Sequence, residues 1–363
     1  MSIPWLLRIV SGKQKGPAAA LVRVGLWSLT PIYRFAVWFR NRQFDTGSRD
    51  ITSVDAKVIS IGNLTTGGTG KTPMVVWVSQ LLQRNNLSVG IVSRGYGSRD
   101  DQTPNDEALE LLSRLPAVPH VQNPDRVAAA RSCIEKHSVD AIVLDDGFQH
   151  RRIGRDLDIV LIDASNPFGF GNVLPRGLLR EPISSLKRAD IVVVTRCDRV
   201  EADMVLATRR RIAAETSAPI VLARTTANSL FQHKNSEATT TDEPTEIPIA
   251  KAHSGRWFAF SAIGNPESFE ASLAELQLDV LGSIRFRDHH HFDDGDLRKI
   301  VVAAKQAGAD RLVCTHKDLV KISRESIGDR PVFALKIDFE IFEGQEEIEQ
   351  AILDLFATLK ALE

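Results

Sequence analysis

The chain has 363 residues, 43% of them apolar and 25% charged, with a formal net charge of -1. That length suits two domains, and the balance is that of an ordinary folded chain. Near-neutral charge argues against nucleic acid as a partner, which usually demands a basic domain. Cys133, Cys197 and Cys314 are dispersed and form no CxxC pair, so a reducing compartment is expected rather than a disulfide framework or zinc site.

Residues 1–44 are unlike the rest. They hold seven basic residues (Arg8, Lys13, Lys15, Arg23, Arg34, Arg40 and Arg42) and no acidic one. Trp5, Trp27, Tyr33, Phe35, Trp38 and Phe39 are interleaved with them. A secretory signal fits poorly, because no clean apolar core leads to a small-residue cleavage site. A spanning helix fits poorly too. Arg23 and Arg34 bracket ten uncharged residues that Pro31 interrupts, and a span needs about 20. Basic, aromatic and aliphatic residues without a span form a segment that lies in a bilayer interface. The alternative is a helix packed on its own domain with its arginines in water. Residues 1–50 are expected to be a basic amphipathic docking segment.

Strand, loop and helix then alternate. Strands are expected at Lys57–Ile61, Val89–Ser93, Ala141–Leu144, Ile159–Ile162, Ile191–Val194 and Pro219–Ala223. Helices are expected from Lys71 to about Arg84, over Asn105–Leu115 with Asn105 as cap, and over Pro124–His137. Continuous apolar strands are those of a parallel sheet covered on both faces, so residues 51–226 read as an α/β domain. Residues 227–252 are Thr-, Asn-, Glu- and Pro-rich and read as a linker or surface loop. Residues 253–363 read as a smaller α/β lobe. Its strands are Trp257–Ile263, Gly282–Phe286, Arg311–Thr315 and Pro331–Ile337. Its helices are Pro266–Leu276, Asp293–Ala307 and a closing Gln345–Leu362.

Two motifs carry chemistry. Between the first strand and its helix lies Thr65-Thr66-Gly67-Gly68-Thr69-Gly70-Lys71-Thr72, which reads as a phosphate-binding P-loop. Glycines let backbone N–H groups converge on phosphate oxygens, and the helix start adds its positive dipole end. Lys71 can reach the β- and γ-phosphates, and Thr72 can ligate magnesium. Thr65 stands where the motif expects its first glycine. The second motif is an apolar strand ending in Asp145-Asp146, and an acid in that place holds Mg2+ or its water shell. Ligands of such sheets bind at the carboxyl ends of the strands, so both motifs point into one crevice.

With these motifs placed, the chain resembles the tetraacyldisaccharide 4'-kinase family over nearly its whole length. The resemblance rests on an ordered set: Gly62-Asn63-Leu64 leading into GGTGKTP, Ser93-Arg94-Gly95-Tyr96-Gly97, Asp106-Glu107, Leu144 to His150, Leu174 to Pro182, Lys187-Arg188-Ala189-Asp190 and Asp288-His289-His290. The form with Thr65 resembles the family's own version of the loop. The resemblance implies ATP, with Mg2+, as phosphate donor and a lipid substrate, the 4'-hydroxyl of a tetraacylated glucosamine disaccharide 1-phosphate, as acceptor, giving lipid IVA. It implies an N-terminal helix on a membrane surface, the cytoplasmic face of the bacterial inner membrane, with no obligatory protein partner. It also implies site residues. Asp106 and His289 would form the pair that serves the attacking hydroxyl, Glu181 would join the magnesium shell, and Arg180 would contact phosphate. Arg94 and Arg126 are further anion-binding candidates.

Thr315-His316-Lys317-Asp318 departs from the family's Thr-Glu-Lys-Asp, so nothing catalytic is assigned there. A metal site at His289-His290-His291 is set aside, since neighbours cannot all face one point; Asp293 or Asp294 is expected to cap the next helix. Two rivals stay open. A partition-type regulatory ATPase carries a lysine before its GGxGKT, where this chain has Thr66. A GTPase-like metallochaperone would read guanine with a loop that Thr195-Arg196-Cys197-Asp198 faintly resembles; a polar turn is the plainer reading.

Overall fold

The computed structural model of the chain describes residues 3–95, 106–232, 245–264, 266–288, 290–322 and 324–357. They form two compact units. The first gathers described residues of 1–95, 117–225 and 339–363, and the second those of 96–116 and 226–338.

Helices α1 (Ile3–Val10) and α2 (Pro17–Asp45) open the first unit, followed by β1 (Lys57–Asn63), α3 (Lys71–Arg84) and β2 (Val89–Ser93). Helix α4 (Asp106–Arg114) belongs to the second unit. The first then resumes with β3 (His120–Gln122), α5 (Arg126–His137), β4 (Ala141–Asp145), β5 (Leu157–Asp163), β6 (Ile191–Thr195) and α6 (Ala202–Ala213). Strand β7 (Ile220–Gln232) carries the chain into the second unit after Thr225. There lie β8 (Thr245–Pro248), α7 (Ile249–Ala252), β9 (Arg256–Ser261), α8 (Pro266–Glu275), β10 (Asp279–Arg285), α9 (Asp294–Ala307), β11 (Arg311–Thr315), α10 (His316–Ile322) and β12 (Ser326–Ile327). Strand β13 (Arg330–Glu343) returns the chain at Phe339, and α11 (Gln345–Asp354) follows.

In the first unit the strands run β7-β6-β5-β1-β4-β2-β3, all parallel. Every residue of β4, β5 and β6 is buried, which is why each carries an uninterrupted apolar stretch of four residues. The order reverses about β1, since the chain passes from β4 on one side of it to β5 on the other. That reversal opens a crevice at the carboxyl ends of these strands. In the second unit β10-β9-β11-β13 are parallel, around cores that include Phe258, Phe260 and Ile300 on one hand and Trp257, Leu273 and Phe333 on the other.

Four expectations are revised. The expected linker at 227–252 is partly strand: β7 runs on to Gln232, and its end pairs antiparallel with β8 from Ser229↔Pro248 to Gln232↔Thr245. Leu230 and Phe231 are buried there, although their neighbours are polar. Helix α4, expected in the nucleotide-binding domain, belongs to the second unit. Ser113 Oγ and His316 Nε2 lie 3.0 Å apart, and the Arg114 guanidinium donates to the Ile337 carbonyl at 3.2 Å. Helix α5 starts at Arg126, after Pro124, because Asp125 caps it through the N–H groups of Val127 and Ala128. Helix α6 was not expected at all; among its side chains only Thr208 and Ile212 are buried, so the apolar periodicity is faint. Asp293 caps α9 as expected, accepting from the Asp296 N–H at 2.8 Å. The Asn105 cap lies outside the described residues.

Helix α2 is 29 residues long and apolar on two sides. Ala19, Val37 and Phe44 are buried against the unit, with Tyr33, Arg40 and Asn41 half-buried beside them. On the other side Leu21, Val24, Trp27, Ile32, Phe35, Trp38 and Phe39 are 52–73% exposed. Steps of three along 21, 24, 27 and again along 32, 35, 38 place them on one side of the helix. No helix among the described residues is long and apolar enough to cross a membrane.

Gly62 shows how tightly β1 is held. A Cβ there would stand 2.5 Å from Phe148 Cβ and 2.6 Å from the Phe148 backbone nitrogen. The loop after β4 therefore lies directly on the end of β1. Gly62→Ala is expected to cost about 1–3 kcal/mol, the usual penalty of overpacking a close-packed core. A urea midpoint equal to that of the parent chain would show that the two segments are not in such contact.

Candidate active site

The site grows from the ends of β1 and β4, which are adjacent strands with Ile61 paired to Asp145. Past Asn63 the chain enters the glycine-rich loop and then α3. Gly70 precedes the helix at φ 88, a left-handed conformation that glycine adopts without a steric penalty. No side chain caps α3 and no acid sits in its first turn. Met74 N–H reaches the Gly70 carbonyl at 3.3 Å, and Pro73 has no N–H to satisfy. The N–H groups of Lys71 and Thr72 thus face the helix mouth without an intrahelical acceptor. A helix start of this kind, left uncapped, favours an anion.

The loop is shaped from within and from both sides. Asn63 Nδ2 donates to Thr69 Oγ1 at 2.8 Å and to the Gly67 carbonyl at 3.4 Å. Gln149 Nε2 donates to the Asn63 carbonyl at 2.8 Å, and Thr195 Oγ1 to the Thr69 carbonyl at 2.9 Å. Thr65 is buried and forms a β-bridge with Leu179, and the Thr66 N–H donates to the Leu178 carbonyl at 2.8 Å. These two residues were expected to hold nucleotide. In the structure the Thr66 N–H is committed to Leu178, and that bond with the one from the Arg180 N–H to the Leu64 carbonyl sets Thr65 opposite Leu179. That accounts for the missing glycine: the first position of the loop is extended and bridged, so it needs no conformational freedom.

Beyond β4 the two acids differ. Asp145 ends the strand, buried, and its charge favours the cationic form of Arg126 against the burial that lowers that group's pKa. Asp146 sits at φ 54, which turns its carboxylate toward the loop. Lys71 Nζ lies 3.4 Å from Asp146 Oδ1. Arg180 Nη1 lies 2.9 Å and 2.7 Å from the two Asp146 oxygens and 3.3 Å from Gln149 Oε1. Burial opposes ionisation of Asp146, but Lys71 and Arg180 outweigh it and hold its carboxyl below the usual range. Thr72, Asp145 and Asp146 offer only oxygen donors, the hard set that suits Mg2+. The uncapped helix start, Lys71 and Arg180 suit the phosphates of ATP.

Other expected residues are engaged differently. Glu181 is fully buried, and both its oxygens are committed: Oε1 to Arg40 at 2.6 Å, Oε2 to Asn41 at 3.1 Å and to Arg188 at 2.8 Å. In the structure this carboxylate anchors α2 through Arg40 and Asn41. Arg126 is buried and donates to the Asn123 carbonyl at 3.1 Å. Asp106 begins α4, in the second unit, but its side chain and the whole of His289 lie outside the described residues. Asp318 is buried in the second unit, accepting from the Ala262 N–H at 3.0 Å and Thr315 Oγ1 at 2.6 Å, which is a structural role.

Sequence reasoning passed over Asn63 and Gln149, which shape the loop, and Tyr33 and Arg40, which hold the segment beside it. The first two fall inside recognised segments and could have been found by asking what polar groups the loop needs. The last two carry no local signal, since their partners Arg180 and Glu181 are 147 and 141 residues away.

The family model for tetraacyldisaccharide-1-P 4'-kinase matches residues 22–357. The tetraacyldisaccharide 4'-kinase of Anaeromyxobacter sp. (strain Fw109-5) is 34% identical over 362 residues, covering 95% of each chain. That of Geobacter metallireducens is 36% identical over 318 residues, covering 83% of this chain and 89% of its own. Among solved structures, LpxK from Aquifex aeolicus in complex with ATP is 27% identical, with a TM-score of 0.73, covering 92% of this chain and 99% of its own. With a phosphate loop on a parallel sheet and a match that runs almost end to end, this chain belongs to the tetraacyldisaccharide-1-P 4'-kinase family.

Proposed function

We propose that this chain transfers the γ-phosphate of ATP to the 4'-hydroxyl of tetraacyldisaccharide 1-phosphate, forming lipid IVA, at the cytoplasmic face of the inner membrane. The observation that carries the reading is the convergence of Lys71 and Arg180 on Asp146 beside the uncapped start of α3, in a chain that matches the kinase family over residues 22–357.

The residues divide the work. The N–H groups at the start of α3 bind phosphate oxygens, and Lys71 neutralises charge on the β- and γ-phosphates. Arg180 contacts phosphate from the other side, exchanging part of its hold on Asp146 for an incoming anion. Thr72, Asp145 and Asp146 would hold Mg2+, which when bound spreads the charge that develops on the phosphates. The hydroxyl oxygen of the sugar forms a bond to the γ-phosphorus as the bond from that phosphorus to the bridging oxygen of ADP breaks. Asp106 takes the hydroxyl proton, and His289 orients or assists it. Catalysis of this kind is mostly positioning and electrostatics.

The acceptor's acyl chains are already in a bilayer, so the enzyme must meet a lipid surface. The exposed apolar stripe of α2, with Arg34 and Arg42 nearby, suits an interfacial helix on anionic lipid. A switch ATPase or guanine-reading protein is disfavoured by the family match, and locally too. Asp198, which would read guanine, accepts from the Thr225 N–H at 3.3 Å, and Arg196 pairs with Asp163.

Lys71→Ala, Asp145→Ala and Asp106→Ala are each expected to cut transfer of labelled phosphate to the lipid disaccharide about a hundredfold or more, the scale of losing a charge stabiliser or general base. Near-parental turnover in any one removes that residue from the mechanism. For the membrane, deleting the N-terminal segment is a poor test, because it would strip Arg40 and Asn41 from buried Glu181. Replacing Trp27, Phe35 and Trp38 together by serine changes only exposed positions. The triple variant is expected to leave anionic vesicles in a sedimentation assay while keeping its affinity for a fluorescent ATP analogue. Undiminished sedimentation would remove α2 as the docking element.

A further inference from the structure

Residues 176–181 touch the N-terminal helices on one side and the phosphate site on the other. On the helix side, Arg176 donates to the Val10 carbonyl at the end of α1 at 3.1 Å. Tyr33 Oη donates to the Arg180 carbonyl at 2.9 Å. Arg40 and Asn41 hold Glu181, which is fully buried. On the site side, the Thr66 N–H donates to the Leu178 carbonyl at 2.8 Å, and the Arg180 N–H to the Leu64 carbonyl at 2.7 Å. The Arg180 guanidinium then grips Asp146, the carboxylate paired with Lys71. Arg180 therefore carries three attachments at once: backbone N–H to Leu64, just past β1, backbone carbonyl to α2, and side chain to the acid.

The chemistry of Glu181 makes this arrangement more than a clamp. A buried carboxylate is costly unless its partners are in place, and an apolar residue would serve simple adhesion as well. What an ion pair adds is a defined position, since three donors fix both oxygens. The residue just before it is Arg180, so a shift of α2 moves Arg180 with it. Displacement of a reacting group by about 1 Å can cost a hundredfold in rate. We infer that Tyr33 and Glu181 are positioning residues, through which the seat of α2 sets the placement of Arg180, Asp146 and the 64–66 segment, so that engagement of α2 with lipid bears on nucleotide binding and turnover. This inference rests on the reading of the chain as a lipid kinase and goes beyond it: the helix that meets the lipid also helps to build the phosphate site.

The test uses the full chain on anionic vesicles with three variants, Tyr33→Phe, Arg40→Met and Arg40→Lys. Each is measured for turnover with the lipid disaccharide, affinity for a fluorescent ATP analogue without acceptor, vesicle sedimentation and thermal midpoint. Tyr33→Phe is expected to weaken the analogue and to lower turnover about fivefold, the scale of one hydrogen bond. Arg40→Met is expected to do so about tenfold or more, the scale of a charged partner, and Arg40→Lys to recover most of the loss. Sedimentation should stay as in the parent chain. If Tyr33→Phe and Arg40→Met are folded and keep parental nucleotide affinity, the coupling is overturned, whatever happens to the thermal midpoint. A parent chain that binds the analogue but leaves the lipid unphosphorylated would defeat the functional reading instead, and the analogue affinities would still decide the coupling.

Discussion

One carboxylate stands between two cations at the head of α3. Lys71 and Arg180 repel one another, and Asp146 is what allows both to point at the same small volume. Its backbone is left-handed, at φ 54, one residue past the end of β4. The neighbouring Phe148 lies against Gly62 at the end of β1, so the acid, the lysine and the loop share one rigid frame. An anion arriving at the helix start meets charges already placed, and electrostatic stabilisation of that kind needs little reorganisation.

The same frame reaches outward. Arg188, which completes the grip on Glu181, also lies over the Phe148 ring at 4.5 Å. The Leu-Arg-Glu-Pro and Lys-Arg-Ala-Asp segments thus meet the Asp-Asp-Gly-Phe turn around one buried charge. Helix α2 closes this cluster from outside with its polar residues Tyr33, Arg40 and Asn41 and turns an apolar stripe to solvent. One helix is asked to do two things. That explains why its sequence is apolar on both sides yet basic, and why it reads neither as a span nor as an ordinary amphipathic helix.

Much of this was legible beforehand. The apolar runs of β1, β4, β5 and β6 are buried on both faces, so their residues announce them. The Gly-Lys-Thr core must follow a strand and open a helix, and it does. Less could be read where partners are distant. Nothing near Glu181 in the sequence says that its charge is met by Arg40 and Asn41. Thr65 looked like a variant of a glycine until its β-bridge with Leu179 showed that no glycine is needed. The division into units was misread for a related reason: α4 lies between two strands of the first unit in sequence, but its contacts are with α10 and the end of the second unit's β13. Polar composition hid the buried Leu230 and Phe231 of β7.

The measurement that bears most directly on the whole account is the fate of labelled γ-phosphate when the purified chain is given ATP, Mg2+ and anionic vesicles, with and without tetraacyldisaccharide 1-phosphate. Phosphoryl transfer to the sugar hydroxyl requires label on the lipid, in amounts equal to the ADP formed, and little ATP consumed when the acceptor is omitted. Label released as inorganic phosphate at the same rate with or without the lipid would contradict it.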